Sequence, residues 1–368
     1  AACHGVFLSA FQALDRPAGV WHPPVVPGIN TVLSKAKLGR PARRWFVPGP
    51  LDFRERVLAA TAWTFGRTAS SPMPFPRHVP PARAGVVAEW LAYENAAGTP
   101  AFLATTPSSA ARVCVAAADR GLDIAGTLFR MGGEPYTAAK AAILAEAGCR
   151  GACHYFMTEA GGQIGIACAE PVETGDVHVR TEQLVVTQRT RALPWGGSAG
   201  TLSLTTLQPT VPSILINFET DDFAVMEERE CGCEIGALGL TRHLHTIRSV
   251  EKLTGEGVNF FGETLIALVE HALPARFGGS ATDYQLVEQE RDGMTRVLIL
   301  VSPRVGTVDD EDVLRETLAF LEQAGRAEKE MAAAWRASDT LQVVRAEPRV
   351  TRAAKVLPLH VGGEETGL

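Results

Sequence analysis

No stretch of this 368-residue chain approaches the run of roughly 18 apolar residues that a membrane-spanning helix needs. A basic excess is also missing. Lys and Arg number 35 against 41 Asp and Glu, for a formal charge of −6, which leaves no electrostatic footprint for nucleic acid. Neither a G-x-S-x-G elbow nor an H-E-x-x-H helix occurs, so two common hydrolase signatures are excluded. Internal repeats and low-complexity tracts are absent. Seven cysteines in a chain this long are too few for a disulfide scaffold. An odd count in a chain expected in the cytoplasm favours buried thiols or metal ligands. The opening "AACHGVFLSAFQALDR" has no initiator Met and no basic flank of a signal peptide, so we expect a start inside a folded domain.

What is present is an ordinary globular composition, 46% hydrophobic and 21% charged, with length for about two domains. Through residue 100, short apolar runs alternate with Pro-rich stretches. "HPPVVPG" and "SSPMPFPRHVPP" read as loops because Pro removes donors and restricts its neighbour. "PARAGVVAEWLAYENAAG" has helical periodicity, "PAFLATTP" reads as a buried strand, and "SSAARVCVAAADRGL" reads as a helix with a Ser cap. Then come the strand of "GTLFRMGGEP", the helix "YTAAKAAILAEAGC" and a third strand, "RGACHYFMTE". Alternation of this kind predicts a mainly parallel sheet with helical cover, and ligands bind outside the carboxyl ends of such strands. "GGEP" and "YFMTEAGG" both fall at such ends.

From 172 to 230 the chain turns β-rich, with hairpins or a barrel-like subdomain expected from "DVHVRTEQLVVTQR", "GTLSLTTLQP" and "SILINFETDDFAVMEE". "GGSAGT" precedes a strand and not a helix, so it reads as a hairpin loop, not a phosphate cradle. After a composition break near 248–256, "ETLIALVEHAL" predicts a helix. A hairpin around "DG", an acidic-capped helix over 309–335 and a strand in "TLQVVRAEP" complete a small α+β unit. The expected fold class is therefore α/β. A large N-terminal domain (1–250) with mainly parallel sheets carries a β-rich subdomain, and a small α+β domain (251–368) follows it.

Several motifs carry chemistry beside a plainer reading. Gly132 and Gly133 of "GGEP" let backbone approach a flat or charged ligand, or simply turn the chain into a helix. In "YFMTEAGG", Tyr155 can stack on a base, Thr158 can meet a phosphate and Glu159 can hold Mg²⁺; an ordinary polar turn is the alternative. Asp221 and Asp222 could accept the hydroxyls of a ribose or form a solvated turn. Cys168, His178, Cys231 and Cys233 make a three-sulfur, one-nitrogen set suited to tetrahedral zinc. On spacing alone, buried thiols and an unrelated His are the more ordinary reading, since the usual two-residue gap is absent. Lys355 reads as a surface lysine, and His243, His245, His271 and His360 have no metal-type spacing.

The order of "GGEP", "HYFMTEAGG", "GTLSLTTL", "NFETDDF", "CGC", "IRSVEKLTGEGVNFF" and "TRAAK" resembles the adenylate-forming (acyl-CoA synthetase/luciferase) superfamily, within it the phenylacetate–CoA ligase-like branch. The resemblance spans roughly residues 100–356. It implies that Gly132, Gly133 and Glu134 line the adenine side of an ATP site and that Tyr155 packs on adenine. Thr158 would meet the phosphates, Glu159 would hold Mg²⁺, and Asp222 and Arg248 would bind the ribose. Lys355 would be the lysine that swings in for adenylation. Members of the branch with a Cys–His–Cys–Cys zinc site imply a structural zinc at Cys168, His178, Cys231 and Cys233.

The implied reaction activates a carboxylic acid, aryl or small, as an acyl-adenylate and passes it to CoA, with the C-terminal domain rotating between steps. Transfer to an amine and a non-catalytic relative keeping the fold are the alternatives. The expected partners are the acid, CoA or an amine, and a second copy as the default assembly, with neither nucleic acid nor membrane. The superfamily's Ser/Thr/Gly-rich phosphate loop has no counterpart in residues 1–100, and the chain is expected to begin after it. Val250 stands at the hinge acid, Glu256–Gly257 at the basic–glycine pair, and no Gly precedes Lys355, which implies altered second-step chemistry.

Overall fold

The computed structural model describes residues 2–22, 32, 41–49, 51, 53–68, 73–192, 198–209, 211–249, 262–280, 283–349 and 359–361. The first layer is a six-stranded sheet. Its strands are β1 (Ala18–Trp21), β2 (Arg44–Val47), β3 (Arg77–His78), β4 (Phe102–Ala104), β5 (Leu128–Met131) and β6 (Arg150–Cys153), in spatial order β3-β2-β1-β4-β5-β6. Every pairing in it is parallel. Both faces are buried, as a parallel sheet requires. One face packs Val20, Ala104 and Leu128 under Phe7 and Leu8 of α1 (Ala2–Ala10) and Phe11 just after it. The other packs Trp21, Leu103 and Phe129 against α3 (Gly85–Ala96), α4 (Pro107–Ala118) and α5 (Ala138–Glu146). Helix α2 (Phe53–Thr68) lies between β2 and β3 in sequence.

The structure has more of this sheet than the sequence reading found. Strands β1 and β2 fall in the Pro-rich first hundred residues, and β3 lies inside the stretch read as the loop "SSPMPFPRHVPP". These strands are only two to four residues long, too short for any period to emerge. The cap of α4 is Thr106 and not a Ser. Its Oγ1 accepts from the Ser109 amide at 3.3 Å, and Pro107 occupies the first helical position, where a missing N–H costs nothing.

The second layer is an open seven-stranded sheet, which takes the hairpin alternative of the sequence expectation and not the barrel-like one. It contains β7 (Tyr155–Met157), β8 (Gly162–Ala167), β9 (Val177–Val179), β10 (Leu184–Ala192), β11 (Ser198–Thr206), β12 (Phe218–Glu228) and β13 (Arg242–Ser249). The order is β10-β11-β12-β13-β9-β8-β7, antiparallel throughout. "RGACHYFMTE" is thus not one strand. Pairing with β5 ends at Cys153, the His154 amide bonds the Met131 carbonyl, and Tyr155 already belongs to the other sheet.

The third unit follows residue 262. Helix α6 runs Gly262–Ile266, continues over Ala267–Ala272 with π geometry and ends with Leu273–Phe277. A four-stranded sheet orders β16 (Leu341–Arg345), β15 (Met294–Val301), β14 (Tyr284–Arg291) and β17 (Leu359–Val361). The β14–β15 hairpin turns at Asp292 and Gly293, with φ of 52° and 68°, as its "DG" pair predicts. Asp309 caps α7 (Asp310–Ala324), but the expected single helix breaks at Gly325, and α8 (Arg326–Ser338) follows. The expected boundary at residues 250 and 251 lies outside the described residues.

Candidate functional site

The carboxyl ends of β5 and β6 bring the two glycine motifs side by side. A side chain at Gly132 would sit 2.9 Å from the Phe156 ring, so only hydrogen fits between strand end and hairpin. Tyr155, Phe156 and Met157 alternate inward and outward along β7. Tyr155 is buried in the core of the seven-stranded sheet with Ile164, Val177 and Leu244. Its hydroxyl donates to Asp222 Oδ2 at 2.6 Å, joining residues 67 positions apart. Burial first, and the Asp222 carboxylate second, push the phenol well above its usual range. Asp222 is oriented by Thr220, whose Oγ1 accepts the Asp222 amide and donates to the Leu202 carbonyl. Arg248 lies on the neighbouring strand, paired with Phe223. Burial lowers its pKa, against the opposing pull of Glu290.

Thr158 and Glu159 are exposed in the turn between β7 and β8, which the backbone closes at Gly161 and Gly162 with φ of 90° and 107°. Both side chains therefore point to solvent at the edge of the Tyr155–Asp222 pair's sheet. Glu134 follows the Gly132–Gly133 turn but is turned inward. Its carboxylate accepts from the Ser108 amide at 2.8 Å and hydroxyl at 2.7 Å. Lys355 and the "GVNFF" stretch lie outside the described residues.

Lys140, on α5, is a residue that the sequence reading missed. Its side chain is 1% exposed, with Nζ 3.7 Å from Glu134, 3.6 Å from Glu290 and 3.1 Å from Thr295 Oγ1. Glu290 also accepts from Thr137, the cap of α5. The available signal was periodicity: Lys140 and Leu144 stand four apart on the one buried stripe of α5. Only the β14–β15 hairpin, more than 140 residues downstream, supplies the partners that make a buried ammonium tolerable.

The Cys–His set converges. Ligand atoms of Cys168, His178, Cys231 and Cys233 lie within 4.8 Å of one another. His178 Nε2 is 3.2 Å from Cys233 Sγ and 3.7 Å from Cys231 Sγ. Its Nδ1 donates to the Leu240 carbonyl at 2.6 Å, which leaves the Nε2 lone pair for a cation. Burial lowers the His178 pKa to about 4, so the ring is neutral, the ligating form. Burial works to raise the Cys233 thiol, yet hydrogen bonds led by the Gly236 amide bring it below the usual range. His243, with no metal-type spacing in the sequence, lies tilted against His178 with ring centroids 4.1 Å apart and bonds Asp176 at 2.8 Å. Asp176 in turn is held by Arg229. Antiparallel pairing of β9 with β8 and β13 creates this meeting, which no spacing along the chain reveals.

No protein-family model matches the chain, and no curated protein matches it. Solved structures do. One is 2-hydroxyisobutyryl-CoA ligase in complex with 2-HIB-AMP and CoA, at 15% identity and TM-score 0.49, covering 98% of this chain and 69% of that one. Another is a double mutant of o-succinylbenzoate CoA synthetase from Bacillus subtilis bound with a product analogue, at 12% identity and TM-score 0.48, covering 96% and 64%. A third is an NRPS protein containing adenylation and PCP domains, at 16% identity and TM-score 0.45, covering 85% and 52%. The functional reading rests on the chain's own residues.

Proposed function

We propose that the chain activates a carboxylic acid with ATP as an acyl-adenylate and passes the acyl group to the thiol of CoA. The observation that carries this reading is the Tyr155–Asp222 pair at the carboxyl end of the parallel sheet, beside the Gly132–Gly133 turn. Tyr155 is 8% exposed, so it serves the nucleotide by holding Asp222, whose carboxylate can accept ribose hydroxyls.

In the first step an oxygen of the acid's carboxylate attacks the α-phosphorus of ATP. The bond to the β-phosphate oxygen breaks and pyrophosphate leaves. Thr158 would bond a phosphate oxygen. A magnesium ion held at Glu159 would offset phosphate charge. Lys355 would add a cation at the same charge. In the second step the CoA sulfur attacks the acyl carbon, its proton is lost, and AMP leaves with the electron pair of the acyl–oxygen bond. Arg248 and Asp222 would hold the ribose through both steps.

Cys168, His178, Cys231 and Cys233 would hold one zinc ion with a closed ligand set, tying β8 and β9 to the "CGC" turn. The three thiols, the free Nε2 and the Leu240 carbonyl behind the ring fit that group. ATP–pyrophosphate exchange across a panel of aryl and small acids tests the reading. Acid-dependent exchange is the expected result, and exchange with no acid in the panel overturns it. Adding CoA should then release a thioester.

A further inference from the structure

At the carboxyl edge of the parallel sheet lies a half-buried cation that the proposed chemistry does not use. Arg130 ends β5. Val20, Ala104 and Arg130 stand in register across β1, β4 and β5, so Arg130 points to the same face as Val20. His22 follows β1 two residues beyond Val20 and faces that side as well. The Arg130 guanidinium sits 5.3 Å from the Phe156 ring centroid and 6.0 Å from that of Phe7. Its Nε is buried without a hydrogen-bond partner, as is His22 Nδ1. Among the described residues Arg130 pairs with no carboxylate. Burial lowers its pKa to about 10, so it still carries its charge at neutral pH. Burial and the Arg130 charge hold His22 near 4, so His22 is neutral and does not compete for an anion.

A desolvated guanidinium without a counter-charge is costly. Its planar fork matches a carboxylate in two bonds. Phe156 is 40% exposed, so an aromatic ligand can stack against its accessible part. A carboxylate clamped in two bonds here cannot also present a free oxygen to the α-phosphorus. The carboxylate at Arg130 is therefore not the reacting one.

We propose that Arg130 is a specificity-determining residue that holds a second, non-reacting carboxylate of an aromatic dicarboxylic acid between Phe7 and Phe156. The inference rests on the acid-activating reading for which carboxylate reacts, but not for binding itself. The test is calorimetric titration of the full chain, without ATP, using benzoate and the three benzenedicarboxylates. At least one dicarboxylate should bind roughly 10–100-fold more tightly than benzoate, the span of a charge-assisted buried hydrogen bond. Arg130→Met should remove that preference. Equal affinity for all four probes, or a preference that survives in Arg130→Met, overturns the proposal.

If Arg130→Met does not fold, Arg130→Lys serves, since it keeps the charge but loses the fork. Its preference should fall at least several-fold, and an unchanged preference overturns the proposal. Pyrophosphate exchange separates the two readings. Arg130-dependent binding with no exchange sinks only the acid activation. Exchange with monocarboxylates and no dicarboxylate preference sinks only the role of Arg130.

Discussion

Replacing Lys140 by Met isolates the charge of the most deeply buried cation in the protein's described core. Met keeps most of the aliphatic stem, so packing on α5 is largely retained and the ammonium is what disappears. The Glu134 side chain, 0% exposed, then loses the one cation within 4 Å of it among the described residues. Breaking one side of a buried pair costs about 3–5 kcal/mol, because the remaining charge stays desolvated. Ser108 still donates two hydrogen bonds to Glu134, and Glu290, 24% exposed, can recover water. The low end, about 3 kcal/mol, is therefore expected. For a unit of 150–250 residues that lowers Tm by roughly 6–12 °C. Differential scanning calorimetry reads it. Lys140→Met combined with Glu134→Gln removes both charges and should recover a good part of the loss. A single variant melting within about 2 °C of the parent would show that the pair is not a desolvated one. A double variant no better than the single would show that Glu134 is not the group left stranded.

Metal analysis should return about one zinc per chain, and Cys231→Ser should lose it; zinc retained by that variant removes the assignment. Tyr155→Phe keeps the ring but not the bond to Asp222, and should raise the KM for ATP by about 5–10-fold in pyrophosphate exchange, the worth of one hydrogen bond. An unchanged KM would place the nucleotide elsewhere. The raised phenol of Tyr155 also has a pH signature. The folded protein keeps a proton that the unfolded chain releases near pH 10, so this contribution is whole below about pH 10 and fades above it. Tyr155→Phe should flatten the fall of Tm between about pH 9.5 and 11, and an unaltered slope contradicts the burial. Thr106→Ala should cost about 1 kcal/mol in urea unfolding, through the lost cap of α4.

The chemistry of individual residues was legible in the sequence. Period and punctuation marked α3, α4, α5, the strands β10–β12 and the β14–β15 hairpin, because each is long enough to show a repeat or ends on a turn residue with a defined role. The donor types of the Cys–His set and of the "YFMTE" stretch were legible for the same reason: side-chain chemistry does not depend on the fold. Short strands such as β1 and β3 were not, since two to four residues carry no period. Tertiary structure alone decided which groups meet. It moved Tyr155 from the parallel sheet into the antiparallel one, where its hydroxyl finds Asp222. It closed Cys168, His178, Cys231 and Cys233 into one cluster through strand pairing. It also buried Lys140 against a hairpin far downstream and left Arg130 charged between two rings. Those outcomes turn on desolvation and long-range register, and neither quantity is written in the local order of residues.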